Sequence, residues 1–303
     1  MGTHHCSHSH AAISRRSFLR AGSATAAVAA LAPHLPAAWA SSVPASAPLD
    51  QFGYADISLA SDLHESQLMN THEVLMNLSE DSLLKPFRQM AGLPAPGDDL
   101  GGWYNYNPDY DYRTGFDDGF APACTFGQWI SALARVYAII SEDATRDKIL
   151  RLNRLYAATI SPDFYIKSRF PAYTYDKLLL GLLDSHTFAH DPQALAILEH
   201  TTDTALPHLP GHAIEHDHIW RTDKDPADAS WTWDESYTMP ENLFLASQRG
   251  AGRRYYDLAL QYLMDKPWFD PLSRNENVLQ GHHAYSHVNS LSSAMMAYMV
   301  AGS

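Results

Sequence analysis

Five histidines sit at spacings that could hold a metal. His283 and His287 fall four apart in LQGHHAYSHVNS, beside His282, and His212 and His216 repeat that interval. Four residues along a helix bring two imidazoles to one face. A zinc site would still need a third ligand and an acid behind it, and the chain has no H-E-x-x-H run. Glu215 and Asp217 stand close to the first pair, but Pro207 and Gly211 make that stretch loop-like, and the second pair straddles a helix start. No metal site is therefore expected, and the histidines are left as hydrogen-bond donors to a ligand or as bystanders at a helix start.

Carboxylates near aromatic rings suggest a different chemistry. A sugar stacks its C–H face on a ring while acids accept from its hydroxyls. Trp103, with Tyr104, Tyr106, Tyr110 and Tyr112 and six aspartates between Asp98 and Ala123, has this character, as do Trp231 and Trp233. The same rings could simply cap helix ends as core. Glu241 lies in the first turn of a helix, in YTMPENLF, where the helix dipole alone is reason enough for an acid. Asp234 and Glu235 are a similar case, and either could belong to a carboxylate pair for glycoside hydrolysis, which sequence spacing cannot establish.

Other chemistries have no foothold. The phosphate-binding G-x-x-x-x-G-K-[ST], the dinucleotide G-x-G-x-x-G and the nucleophile elbow G-x-S-x-G are absent from the sequence. Cys124 has nothing around it to mark an activated thiol and reads as a small hydrophobe.

Helices must position these groups. Apolar periodicity predicts helices over 62–90, 126–140, 145–160, 173–188, 192–206, 240–248, 253–264 and 287–300. Asp191-Pro192 and Met239-Pro240-Glu241 are start signals. The helices read as hairpins closed by the polar turns SEDATRDK, AHDPQA and SQRGAGRRY, about fifty to sixty residues apart, a period typical of repeated helical hairpins. Two long segments, 98–123 and 207–236, interrupt the hairpins. The second holds four histidines and three tryptophans, and loops of this length and composition in a compact domain are usually site-forming.

The N-terminus reads as an address. SRRSFLR precedes a weakly apolar, alanine-rich run closing on Ala38-Trp39-Ala40, which is the form of a twin-arginine export signal. Prolines break the run, so it is a poor membrane span. Domain boundaries follow at 1–40 for the signal, 41–61 for a linker and 62–303 for the helical domain. The formal charge is −13, and loss of a leader holding Arg15, Arg16 and Arg20 makes it more negative, which excludes nucleic acid as a partner. Only Cys6 and Cys124 are present, and the first leaves with the leader, so no intramolecular disulfide is expected.

The blocks LLKPFRQMAGLPAPGDDLGGWYN, FGQWISALARVYA, YTYDKLLLGLLD, YTMPENLF and HHAYSHVNSLSSAMMAYM, in this order from Leu83 onward, resemble the beta-L-arabinofuranosidase-like glycoside hydrolases of family 127. The resemblance implies an (α/α)6 toroid, with the sugar pocket at the centre of one end and a retaining mechanism. By the matching blocks it implies substrate-binding roles for Trp103, Glu241 and His283, and it sets His287 where the family commonly has glutamine, against a paired metal site. It also marks two departures. Cys124 stands where many members carry a pocket histidine, and Asp176 precedes Lys177 where many have His-Lys. Exchanging donors for a thiol and an acid changes which hydroxyls can be paired.

The family's acid/base glutamate and its cysteine-bound zinc lie beyond the His-Ala block, which here is His283-Ala284. The chain is accordingly expected to hold about eight of twelve toroid helices and no cofactor of its own. The expectation is an exported, all-α, apparently incomplete toroid that takes carbohydrate and spans no membrane once the signal is cleaved. It would associate with itself or with a missing C-terminal fragment, because its final helix is apolar on several sides. The activity implied is cleavage of terminal furanosides from plant-type glycans. Two other readings stay open: a non-catalytic periplasmic glycan-binding or scaffold protein, and a polysaccharide lyase using His283 and Tyr285 as base and acid.

Overall fold

The computed structural model describes residues 52–110, 118–168, 170–213, 235–280 and 284–301. Among them the helices are α1 (Asp62–Asn77), α2 (Glu80–Met90), α3 (Phe126–Ile140), α4 (Asp143–Ala157), α5 (Pro162–Lys167), α6 (Pro171–Phe188), α7 (Ala194–Ala205), α8 (Pro240–Ala246), α9 (Arg253–Gln261), α10 (Asp270–Ser273) and α11 (Ala284–Ala301). No strand occurs among the described residues.

The three polar turns do close hairpins. Each reverses direction through a residue in the left-handed region: Ser141 (φ 55°) between α3 and α4, His190 (φ 52°) between α6 and α7, and Gly250 (φ 97°) between α8 and α9. A helix that ends in this conformation stops cleanly, because the next N–H turns back to the last carbonyls. Asp191 then starts α7 by accepting the Gln193 N–H at 2.9 Å, while its other oxygen accepts from Asn153 Nδ2 at 2.8 Å.

The first expected helix, 62–90, is two helices. Leu78 and Ser79 are extended between α1 and α2. The break is held by Lys148, whose buried ammonium donates to the carbonyls of Met76 (2.8 Å) and Leu78 (2.6 Å). Those carbonyls lie at the end of α1, where intrahelical partners run out. Apolar periodicity continues through the break, which is why the sequence reads as one helix there.

The hairpins form two rows. α3, α6, α8 and α11 pack side by side as the inner row, and α4, α7 and α9 cover them as the outer row. α6 is the most enclosed, with Leu178, Leu179, Leu182 and Leu183 all buried. It meets α3 backbone to backbone: a Cβ on Gly127 would lie 1.9 Å from the Lys177 carbonyl oxygen, and one on Gly181 would lie 2.5 Å from that of Gly127. Only glycine permits this approach at either position.

Inner helices run parallel, as the cross-helix bonds show. Asp176 and Asp184 on α6 meet Asn242 and Arg249 of the α8 segment in the same order, and Tyr237 and Glu241 meet His287 and Ser293 in theirs. Their far ends are fastened by Asp184. Its buried carboxylate accepts from Ser131 Oγ and Arg135 Nε, both at 2.7 Å, and from Arg249 Nη1 at 3.0 Å. One acid thus joins three neighbouring segments, and every bond to it is charge-assisted.

Candidate functional site

With the inner helices parallel, their N-terminal ends lie together, and there the chemistry collects. Cys124 lies two residues before α3. Tyr173, Asp176 and Lys177 occupy the first turns of α6, Glu241 and Asn242 the first turn of α8, and Tyr285 the first turn of α11. Proline opens both α6 and α8, at Pro171 and Pro240, and its fixed φ with no N–H to satisfy sets where each helix begins. Register along these helices follows from those starts.

Asp176 is the centre of the cluster and is only 1% exposed. Its Oδ1 accepts from Asn242 Nδ2 at 2.8 Å and its Oδ2 from Lys177 Nζ at 2.9 Å. The Lys177 ammonium also lies 4.5 Å from the centroid of the Tyr173 ring. Burial works against this charge, but the Asp176 carboxylate outweighs it and holds the lysine above its ordinary range. Both Asp176 oxygens are therefore engaged within the protein.

Glu241 is half-buried, and its backbone N–H donates to Ser293 Oγ at 3.2 Å. Burial raises its carboxyl above the ordinary value of 4.5. The Asp176 charge raises it further, against the lowering pull of Lys177 and Arg135. A carboxyl that keeps its proton longer can donate as well as accept.

Tyr285 lies close enough to Tyr173 to act on its hydroxyl, which brings the α6 and α11 ends together. Burial pushes the Tyr173 hydroxyl well up, so it remains a neutral donor. Glu235, buried just ahead of α8, adds its charge to Tyr173 and Lys177. Glu235 (φ 46°) and Ala123 (φ 58°) both hold left-handed backbone without being glycine. Such backbone costs of order 1–3 kcal/mol per residue and tends to gather where a site must be held in shape.

An aromatic path leads outward from this cluster. The Tyr173 ring lies edge-on to Phe170 at 5.9 Å, Phe170 to Phe120 at 5.0 Å, and Phe120 to Trp103 at 5.3 Å. Trp103 is half-exposed at the end of this series, while Phe120 and Phe170 are buried with Cys124. Trp103 and Phe120 thus lie on the same end of the helices as Asp176.

Cys124, Asp176 and Glu241 come together, and Trp103 joins them through Phe120 and Phe170. His283 lies outside the described residues, directly before α11; so do His282, His216, Trp231, Trp233 and Asp234. His212 sits elsewhere, lining a depression with Met264 and Pro267. His287 is core: it is buried against the rings of Tyr237 (4.7 Å) and Trp268 (4.8 Å). Sequence reasoning missed Tyr173 and Asn242 as members of the cluster. The only signal for either was its place one turn or one residue from Asp176 and Glu241.

Burial pushes the Cys124 thiol up to about 11, a shift that Lys177 only partly offsets. Among the described residues no three His, Cys, Asp or Glu side chains are grouped to hold an ion.

Among curated proteins no sequence matches this one. Residues 56–303 match the family described as beta-L-arabinofuranosidase, GH127 catalytic domain. The double row of helices is consistent with the all-α toroid of that domain. The match covers most of the sequence and every described element that builds the site, and on that basis the chain belongs to the GH127 beta-L-arabinofuranosidase catalytic-domain family.

Proposed function

We propose that the protein takes terminal furanosides of the beta-L-arabinofuranoside type from plant-type glycans, at the joined N-terminal ends of α3, α6, α8 and α11. The observation that carries this reading is the Asp176, Lys177, Asn242 and Glu241 cluster at the end of an aromatic path to Trp103, in a chain of this family. Lys177 and Tyr173 supply donors for sugar oxygens, and Glu241 supplies a carboxyl able to give or take a proton. Trp103 offers a half-exposed ring on which the next sugar unit stacks, and the family resemblance adds His283 as a further sugar-binding residue. Asp176 holds Lys177 and Asn242 in place. Cys124 packs the wall with its thiol protonated, which leaves it no nucleophilic role.

The experiment is a paired assay with a beta-L-arabinofuranosyl disaccharide: binding by calorimetry and release of free arabinose by chromatography. Binding with release supports a glycosidase, and binding without release supports a glycan-binding protein built on the same site. Neither binding nor release rejects the sugar assignment. Products absorbing in the ultraviolet from a uronate polymer would mark a lyase instead. We also propose that residues 1–40 direct export through the twin-arginine route to the periplasm or the medium, on the strength of Arg15 and Arg16 before a weakly apolar run.

A further inference from the structure

The connections that lead into α3 and α6 leave a depression of about 340 Å³ between them, within the size range of small-ligand sites. Tyr106, Asn107, Tyr110 and Gly119 line it from the first connection, and Ile166 and Lys167, at the end of α5, line it from the second. Gly119 stands seven residues before α3 and Lys167 four before α6, so the depression lies just outside the N-terminal ends of two neighbouring inner helices. None of the groups assigned to the site above lines it.

Its walls are held in shape by the chain itself. Gly119 has left-handed backbone (φ 84°), and a Cβ there would lie 2.5 Å from the Asn107 Cβ, so only glycine permits this approach. Asn107 accepts the Asp109 N–H at 3.0 Å and donates to the Asp118 carbonyl at 3.4 Å. The Gly119 N–H donates to the Gly102 carbonyl at 2.9 Å and the Ala121 N–H to that of Trp103 at 3.1 Å, which fastens the depression beside Trp103. Tyr110 also meets the aromatic path, 6.1 Å from Phe120.

The lining chemistry suits carbohydrate. Two half-buried tyrosines give ring surface for a sugar's C–H groups. Lys167 Nζ donates to the Met90 carbonyl at 2.7 Å and to Asp163 Oδ2 at 3.4 Å. An ammonium has three donors, so a third is left for a ligand oxygen. Asp163 offsets the charge of Lys167, which makes this donor suit a hydroxyl rather than a carboxylate.

We propose that this depression binds a further neutral sugar unit of the glycan, beyond the one that stacks on Trp103. The inference rests on the reading that a furanoside is held where the inner helices begin. Three ring contacts of 5.0–6.1 Å separate Tyr173 from Tyr110, a span that a short chain of sugars covers. The protein then grips an oligosaccharide along its length, and affinity rises beyond the disaccharide.

Calorimetric titration of the full chain with a beta-L-arabinofuranosyl disaccharide and with the corresponding tetrasaccharide tests this, with KM read in place of Kd if the sugar is cleaved. The tetrasaccharide should bind the wild type roughly tenfold more tightly than the disaccharide. Tyr110→Ala should reduce that advantage to about twofold or less and leave the disaccharide affinity unchanged. Should Tyr110→Ala not fold, Ile166→Arg decides. Ile166 is 48% exposed, and a longer side chain there fills the depression from the surface without emptying the core. Equal affinity for the two sugars, or a tetrasaccharide advantage that survives both variants, would overturn the proposal while leaving the first sugar site standing. So would a Tyr110→Ala variant that loses disaccharide and tetrasaccharide affinity alike. Binding of neither sugar by the wild type would overturn that site and this extension with it.

Discussion

Asn242 on α8 donates its side-chain amide to Oδ1 of Asp176 on α6, at 2.8 Å and 66 residues away in sequence. This bond ties two inner helices at the end where the site is formed, and it supplies one of the two partners that a buried carboxylate has here. Asn242→Leu removes the donor and leaves Oδ1 buried without it. The expected loss is about 1–3 kcal/mol of unfolding free energy, the usual cost of stranding a buried polar atom. Urea unfolding of both proteins checks it, and an unchanged midpoint would show that water replaces the amide.

The opposite end of the same helices predicts a different separation of effects. Asp184→Ala strips the common acceptor from Ser131, Arg135 and Arg249. Breaking a buried ion pair costs roughly 3–5 kcal/mol. The lower part of that range applies here, because both arginines are partly exposed and can turn to water. Sugar affinity of the folded fraction should be unchanged, since Asp184 lies two turns beyond Asp176. Melting curves and calorimetry on one preparation read both quantities.

Glu241 predicts a pH dependence with a definite sign. Its carboxyl is raised in the folded protein by burial and by Asp176, above the ordinary value of 4.5. The folded state therefore favours the protonated form. Stability from this group is complete below about pH 4.5 and is lost as pH rises through the raised folded value. Glu241→Gln keeps a neutral side chain at every pH. The variant should melt above the wild type at pH 7, and the gap should close below pH 4.5. A gap that is constant with pH would mean that the carboxyl is not raised.

Much of the helical array is readable from periodicity and turn chemistry. α3 falls on 126–140 as expected, and Pro240 opens α8 as the proline rule requires. The starts of α6 and α11 lie two and three residues earlier than the apolar pattern begins, because Pro171 and Ala284 are helical without contributing to that pattern. The break at Leu78 and Ser79 is invisible because it is made by Lys148, 70 residues downstream of Leu78. The site divides in the same way. Glu241 stands out as an acid in the first turn of a helix and Asp176 as a departure from the family's His-Lys, but that Asp176 spends both oxygens on Asn242 and Lys177 depends on how the helices pack, which no local pattern records.

Export should depend on the arginine pair. The segment after Arg20 is only weakly apolar, so the receptor's reading of Arg15 and Arg16 has to carry recognition. Arg15→Lys with Arg16→Lys should abolish delivery of a fused reporter outside the cytoplasm. Undiminished delivery would assign export to another route.

The central claim is that sugar binds where the inner helices begin, and calorimetric titration of a beta-L-arabinofuranosyl disaccharide into single-site variants tests it most directly. Lys177→Met, with Trp103→Ala as the outer member of the same path, should each weaken binding by tenfold or more. That corresponds to about 1.4 kcal/mol. His212→Ala, on a separate depression, should bind as the wild type does. Equal affinity in all three variants, or a loss confined to His212→Ala, would contradict the placement of the site.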